Sequence, residues 1–158
     1  MRQRGFTFIE ILVSVTIIAV LIAIGVASYG SVNRRARDAK RKSDLEQVRS
    51  ALEQYRADNG SYPATVSWSL SSSNPDWIDE LTPSYMDNLP VDPKNTGTVV
   101  PGGALPGPVY VYRSDATCGL AVGEEFVLAT RLETGETQTT QYGTCTINTA
   151  GWYFLGEK

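Results

Sequence analysis

At 158 residues the chain has room for one ordinary domain, and its net charge of −3 conceals two unlike parts. Residues 1–58 carry ten Lys/Arg against six Asp/Glu, whereas the remainder carries four against eleven. A basic stem on an acidic body argues against a nucleic-acid-binding domain spanning the chain, and the lack of histidine, with only two cysteines, argues against a tetrahedral zinc site.

The chain opens with Arg4-Gly5-Phe6-Thr7-Phe8-Ile9-Glu10, and Glu10 stands at the edge of a run, Ile11 to Asn33, without any charge. As a helix that run spans about 34 Å, slightly more than a bilayer core of roughly 30 Å. An ionised Glu in hydrocarbon is costly unless it is paired or lies near the interface. The competing reading is a cleaved secretory signal, with Arg2 and Arg4 as the charged region and Gly25-Val26-Ala27 as the small-residue cleavage site. The leading acid and the length of the apolar run favour a transmembrane helix.

The helical pattern continues past the apolar run. Leu45, Val48, Leu52 and Tyr55 recur at i, i+3, i+7 and i+10, and Ala51 widens the same stripe. Opposite charges at i,i+4 support it: Arg34/Asp38, Asp38/Lys42, Lys40/Asp44, Lys42/Glu46 and Arg49/Glu53. No proline occurs before Pro63, and Asn59-Gly60 supplies a C-terminal stop, so one helix of roughly 50 residues, near 75 Å long, is expected. Its apolar half must be buried in lipid or in other copies of itself. The basic run Arg34, Arg35, Arg37, Lys40, Arg41 and Lys42 has three readings: a solvated helix face, contact with lipid phosphates or acidic neighbours in a filament, and DNA binding. The absence of interleaved aromatics counts against the last.

The body reads as α+β. Ala64–Asn74 and Pro90–Pro108 are loop-like in composition, with Trp68, Trp77 and Ile78 expected to pin down the first. Asn74 to Leu81 suits a short helix, with Asn74 as cap and Pro75 in its first turn. Pro108–Arg113, Glu125–Glu133 and Thr137–Tyr142 read as strands, with Thr134-Gly135-Glu136 as a hairpin turn between the last two and Trp152–Leu155 as a final edge strand. Alternation assigns Phe126, Leu128, Thr130 and Leu132 to the face that meets the helix, and Val127, Ala129 and Arg131 to the other. Neither a nucleophile beside a base nor a phosphate-binding glycine loop is evident. The acidic pairs Asp79/Glu80 and Glu124/Glu125 read as solubilising charge, so no enzymatic function is expected.

The opening segment, with a basic leader, Gly5, Phe6 and Glu10 four residues on, resembles the class III signal of type IV pilins and of type II secretion pseudopilins. Ala51–Pro63, Tyr85–Asn95 and Phe126–Glu133 resemble segments of major pseudopilins and related pilins. The resemblance implies a pilin-like α+β fold, with a long N-terminal helix, its apolar half transmembrane, packed on a small antiparallel sheet. It implies a leader at 1–5, a transmembrane and assembly half of the helix at 6–33, an amphipathic half at 34–60 and an exported body at 61–158. It further implies cleavage between Gly5 and Phe6 by a prepilin peptidase/methylase, N-methylation of Phe6, and a role in assembly for Glu10, which otherwise caps only its own helix. The implied partners are other copies in a helical filament, an inner-membrane assembly platform, minor pilins and membrane lipid. The alternative is a monomeric, membrane-anchored extracytoplasmic binding domain. In an exported body Cys118 and Cys145 suit a disulfide, the alternative being two reduced thiols. Major pseudopilins share an Asp-rich calcium loop near the C-terminus, whereas Thr137–Lys158 holds no Asp and one Glu, so neither metal nor cofactor is expected.

Overall fold

The computed structural model describes residues 5–96, 107–114, 122–136, 140–142, 145–147 and 151–157. Helix α1 runs over Phe8–Asn59, 52 residues, as its unbroken pattern and lack of proline require. The chain divides into two compact units, Met1–Ala36 and Arg37–Lys158.

The first unit is helical from Phe8 onward and nearly bare. The most apolar 18-residue window of α1 has a mean hydropathy of 2.8 and no buried share, so the helix is long and apolar enough to cross a membrane. Its hydroxyls turn back onto the helix: Ser14 Oγ donates to the Glu10 carbonyl at 2.6 Å and Thr16 Oγ1 to that of Val13 at 2.7 Å.

The second unit holds the hydrophobic core. Its four-stranded antiparallel sheet is ordered β1-β2-β3-β6, with β1 Ser69–Leu70, β2 Tyr110–Arg113, β3 Phe126–Arg131 and β6 Trp152–Glu157. Period-2 alternation sorts the strands between two layers. Tyr110, Tyr112, Phe126 and Leu128 meet Leu45, Val48, Ala51 and Leu52 of α1, together with Tyr62, Trp77, Ile78, Leu81 and Leu89. Phe126 and Leu128 therefore take the helix side, as their alternation predicts. The opposite side is buried as well, in a cluster of Val109, Val111, Val127, Ala129, Trp152 and Phe154. Two-sided burial was not expected, although apolar residues at consecutive positions of β2 and β3 are its sequence sign.

The helix ends as its sequence predicts. Gly60 adopts φ +79 and its N–H bonds to the Arg56 carbonyl at 2.8 Å. The chain then turns so that Tyr62 N–H reaches the Gly123 carbonyl at 2.6 Å, and a Cβ on Gly123 would stand 3.1 Å from Ser61 Cβ. Tyr62 is locked there, its hydroxyl donating to Glu53 and its ring edge-on to Phe126 at 4.6 Å.

Two elements differ from expectation. The segment after Asn74 forms an Asx turn, Asp76 N–H donating to Asn74 Oδ1 at 3.1 Å, and only a single 3₁₀ turn at Asp79–Leu81. Adjacent Trp77 and Ile78 are both drawn into the core, and Trp77 Nε1 donates to the Pro90 carbonyl, which leaves no helical register for the segment. Nor do Glu125–Glu133 and Thr137–Tyr142 form a hairpin. β3 pairs with β2 and β6, while β4 Thr140–Tyr142 pairs with β5 Cys145–Ile147 in a separate ladder; residues 137–139 lie outside the described set. The turn after β3 is held instead by α1, as described next.

Candidate assembly and processing site

Gly5 and Phe6 precede the helix in irregular backbone, with Phe6 86% exposed and nothing within 4 Å of a Cβ built on Gly5. The bond expected from the sequence to be cleaved therefore lies in an open, non-helical segment that neighbouring side chains do not cover. Thr7 and Glu10 make a reciprocal capping box. Thr7 N–H and Thr7 Oγ1 both donate to Glu10 Oε2 at 2.7 Å, and Glu10 N–H reaches back to Thr7 Oγ1 at 3.4 Å. Sequence reasoning weighed a capping role for Glu10 but missed Thr7, although T-x-x-E before an apolar run is the signature of such a box. Glu10 Oε1 makes no hydrogen bond among the described residues.

Next along α1, the large apolar residues from Phe8 to Val32 stand exposed, Leu21 at 63% and Ile24 at 63% among them. An apolar surface this continuous marks contact with lipid or protein.

The basic run is a solvated face only in part: Arg34, Arg35 and Lys40 are exposed as the first of its three readings expects, Arg37 and Lys42 are half-buried, and Arg41 departs from that reading altogether. Arg41 is completely buried: Nε and Nη2 grip Asp92 at 2.7 and 3.1 Å, and Nη1 meets Asp38 at 2.6 Å and Glu133 at 3.0 Å. Arg37 makes a two-point contact with Glu133 at 2.7 Å, Lys94 adds a third cation to that carboxylate, and Lys42 reaches Glu136 at 2.6 Å. Asp38 also accepts the Glu133 and Thr134 backbone N–H groups, both at 2.9 Å, which fixes the turn after β3. Asp92 Oδ1 closes an Asx turn on Lys94 and Asn95 N–H, so Arg41 also holds that loop against the helix. Of the expected i,i+4 pairs within Arg37–Lys158, Lys40–Asp44 forms, at 3.1 Å. Lys42 turns to Glu136, Glu46 pairs with Arg49 at i,i+3, and Glu53 accepts from Tyr62. Asp38 leaves its expected partner Lys42 for the Glu133 and Thr134 N–H groups because it satisfies donors that folding buries beside it.

The electrostatics follow from this packing. The hydrogen bond from Arg37 holds Glu133 well below the usual carboxylate range against the opposing effect of burial, with Lys94 and Arg41 contributing. Burial would raise Asp38, but the backbone donors of Glu133 and Thr134, the Thr134 hydroxyl and Arg41 bring it below its ordinary value. Burial lifts the Tyr110 phenol, and its hydroxyl donates to Asp44 at 2.7 Å, lifting it further. Asp79, Glu80 and Glu124 are exposed, as expected of solubilising charge. Cys118 and the side chain of Cys145 lie outside the described residues.

Comparison with known proteins accords with these features. The prokaryotic N-terminal methylation motif matches residues 1–26, and type II secretion system protein G matches residues 29–103. The chain is 34% identical over 97 residues to the type II secretion system core protein G of Pseudomonas aeruginosa, covering 58% of this chain and 68% of that protein. It is 35% identical over 97 residues to that of Klebsiella pneumoniae, covering 58% and 69%, and 33% identical over 100 residues to that of Pectobacterium carotovorum, covering 60% and 64%. No solved structure matches significantly. With an exposed apolar helix behind a processing motif, an α+β body and relatives of this kind, the chain belongs to the type II secretion core protein G family, the major pseudopilins.

Proposed function

We propose that this chain is a pseudopilus subunit, cleaved between Gly5 and Phe6, methylated on the Phe6 amine, and assembled with other copies through the apolar half of α1. The observation that carries this reading is the bare apolar helix beginning immediately after an exposed Gly5-Phe6 bond. Before assembly the helix sits in the cytoplasmic membrane with the body extracytoplasmic; afterwards the apolar surface is buried against neighbouring helices. A prepilin peptidase/methylase, an inner-membrane assembly platform and minor pseudopilins are the partners such a path requires. The reading keeps residues 1–5 as leader, 6–33 as the membrane and assembly half, 34–60 as the amphipathic half and 61–158 as the body. A monomeric binding domain is disfavoured, because it would leave the processing motif without a purpose.

Within this reading Glu10 has two compatible tasks. Oε2 caps the helix through Thr7, leaving Oε1 to receive the Phe6 amine of an adjacent subunit. Burying that amine in a filament is costly unless a carboxylate meets it, and the two meet only at one axial offset. Glu10 thereby sets the register between subunits.

Mass spectrometry of the mature protein tests the processing, which should yield a chain starting at N-methyl-Phe6; a start at Ser28 would refute the pilin-type signal. Glu10→Leu tests the assembly role. The variant should be cleaved and inserted normally yet form filaments only when mixed with wild-type subunits, and a normal filament yield from the variant alone would sink the register role.

A further inference from the structure

The fold splits the basic run in two. Arg37, Lys40, Arg41 and Lys42 are each matched with a carboxylate of the unit Arg37–Lys158. Arg34 and Arg35 are exposed and make no ion pair among the described residues. They follow directly on the uncharged run Ile11–Asn33, whose helical length of about 34 Å carries them just beyond a hydrocarbon core of roughly 30 Å. Tyr29, 70% exposed, lies about 7 Å along the helix axis before them, at the depth where amphipathic rings settle among headgroups.

We propose that Arg34 and Arg35, flanked by Tyr29, form a docking surface for the phosphate headgroups of anionic phospholipid in the extracytoplasmic leaflet. The proposal rests on the membrane-embedded state described above. Two adjacent guanidinium groups donate to phosphate oxygens in the plane where phosphates are most concentrated, and no competing carboxylate is engaged with them. Exposed acids of the body, Asp76, Asp79, Glu80, Asp87 and Glu124 among the described residues, offer a second copy as rival occupant. Meeting them requires one fixed offset between subunits, whereas lipid phosphates surround the pair at every position in the membrane. The surface therefore acts before assembly, holding the subunit at a defined depth.

The test uses the full chain. Flotation and carbonate extraction from phosphatidylcholine vesicles first establish insertion; a chain that fails to insert overturns both the membrane-embedded state and the anchor. Short-chain phosphatidylglycerol and phosphatidylcholine are then titrated against the solubilised chain by thermophoresis. Wild type should prefer phosphatidylglycerol by up to ~30-fold, equivalent to about 1 kcal/mol for each cation, and the preference should fall with salt. The double variant Arg34→Gln with Arg35→Gln should lose it, whereas Arg49→Gln should keep it. An inserted wild-type chain without the preference, or a double variant that retains it, overturns the anchor alone. If the double substitution instead reduces cross-linking between copies in pure phosphatidylcholine, with no lipid preference to lose, the arginines serve a second copy and the lipid proposal is wrong.

Discussion

Replacing Arg41 by Met retains the side chain's bulk and removes the cation on which three carboxylates converge. Asp92 suffers most. It is fully buried, loses both bonds from Arg41, and keeps only the backbone N–H groups of Lys94 and Asn95. Glu133 retains Arg37 and Lys94, and Asp38 retains two backbone N–H groups and the Thr134 hydroxyl. The loss therefore amounts to one uncompensated buried charge, about 3 to 5 kcal/mol. For a body of this size that lowers the unfolding midpoint by roughly 10 to 20 °C. Differential scanning calorimetry on a soluble fragment beginning at Asn33, near pH 7, measures it. Adding Asp92→Asn should recover part of the loss, since an amide left without Arg41 costs less than a carboxylate. A single-variant loss below about 1 kcal/mol, or a double variant no more stable than the single one, would refute the reasoning.

Three further outcomes are expected. Because Glu133 and Asp38 titrate below their unfolded-state values, the stability they add is fully present above about pH 4.5 and declines as pH falls below it, and Glu133→Gln should flatten that decline in acid-unfolding curves. An unchanged acid limb in that variant would show that Glu133 does not drive it. Leu52, fully buried between α1 and the sheet, should cost about 2 to 5 kcal/mol when replaced by Ala, read from denaturant midpoints at unchanged slope. If Cys118 and Cys145 are bridged in the exported body, the native fragment should resist alkylation and Cys145→Ser should lower its midpoint by an amount equivalent to roughly 3 to 4 kcal/mol; two freely alkylated thiols would exclude the bridge.

Local rules were sufficient for the long elements. Absence of proline, the Leu45-Val48-Leu52-Tyr55 stripe and Asn59-Gly60 together specify α1 and its end, because helix continuation and termination are decided within a turn or two of chain. Alternation placed Phe126 and Leu128 on the helix side of β3 for the same reason, since the pleat is a local property. The leader, Gly5, Phe6 and Glu10 were legible as a motif whose spacing needs no fold to be read.

What the tertiary structure decided were matters of long-range pairing. Nothing local to Arg41 points to Asp92, 51 residues away, or to Glu133, yet burying the guanidinium makes those partners mandatory, and the i,i+4 pairs suggested by spacing yield to them. The turn after β3 looked like a hairpin because Gly135 suits one, but Asp38 captures its N–H groups and the strand finds β6 instead. Sequence therefore determined the helix, the strand faces and the processing signal. Only the folded chain determined which charges of the basic run are spent inside the body, because a charge's partner is settled by what else is desolvated beside it.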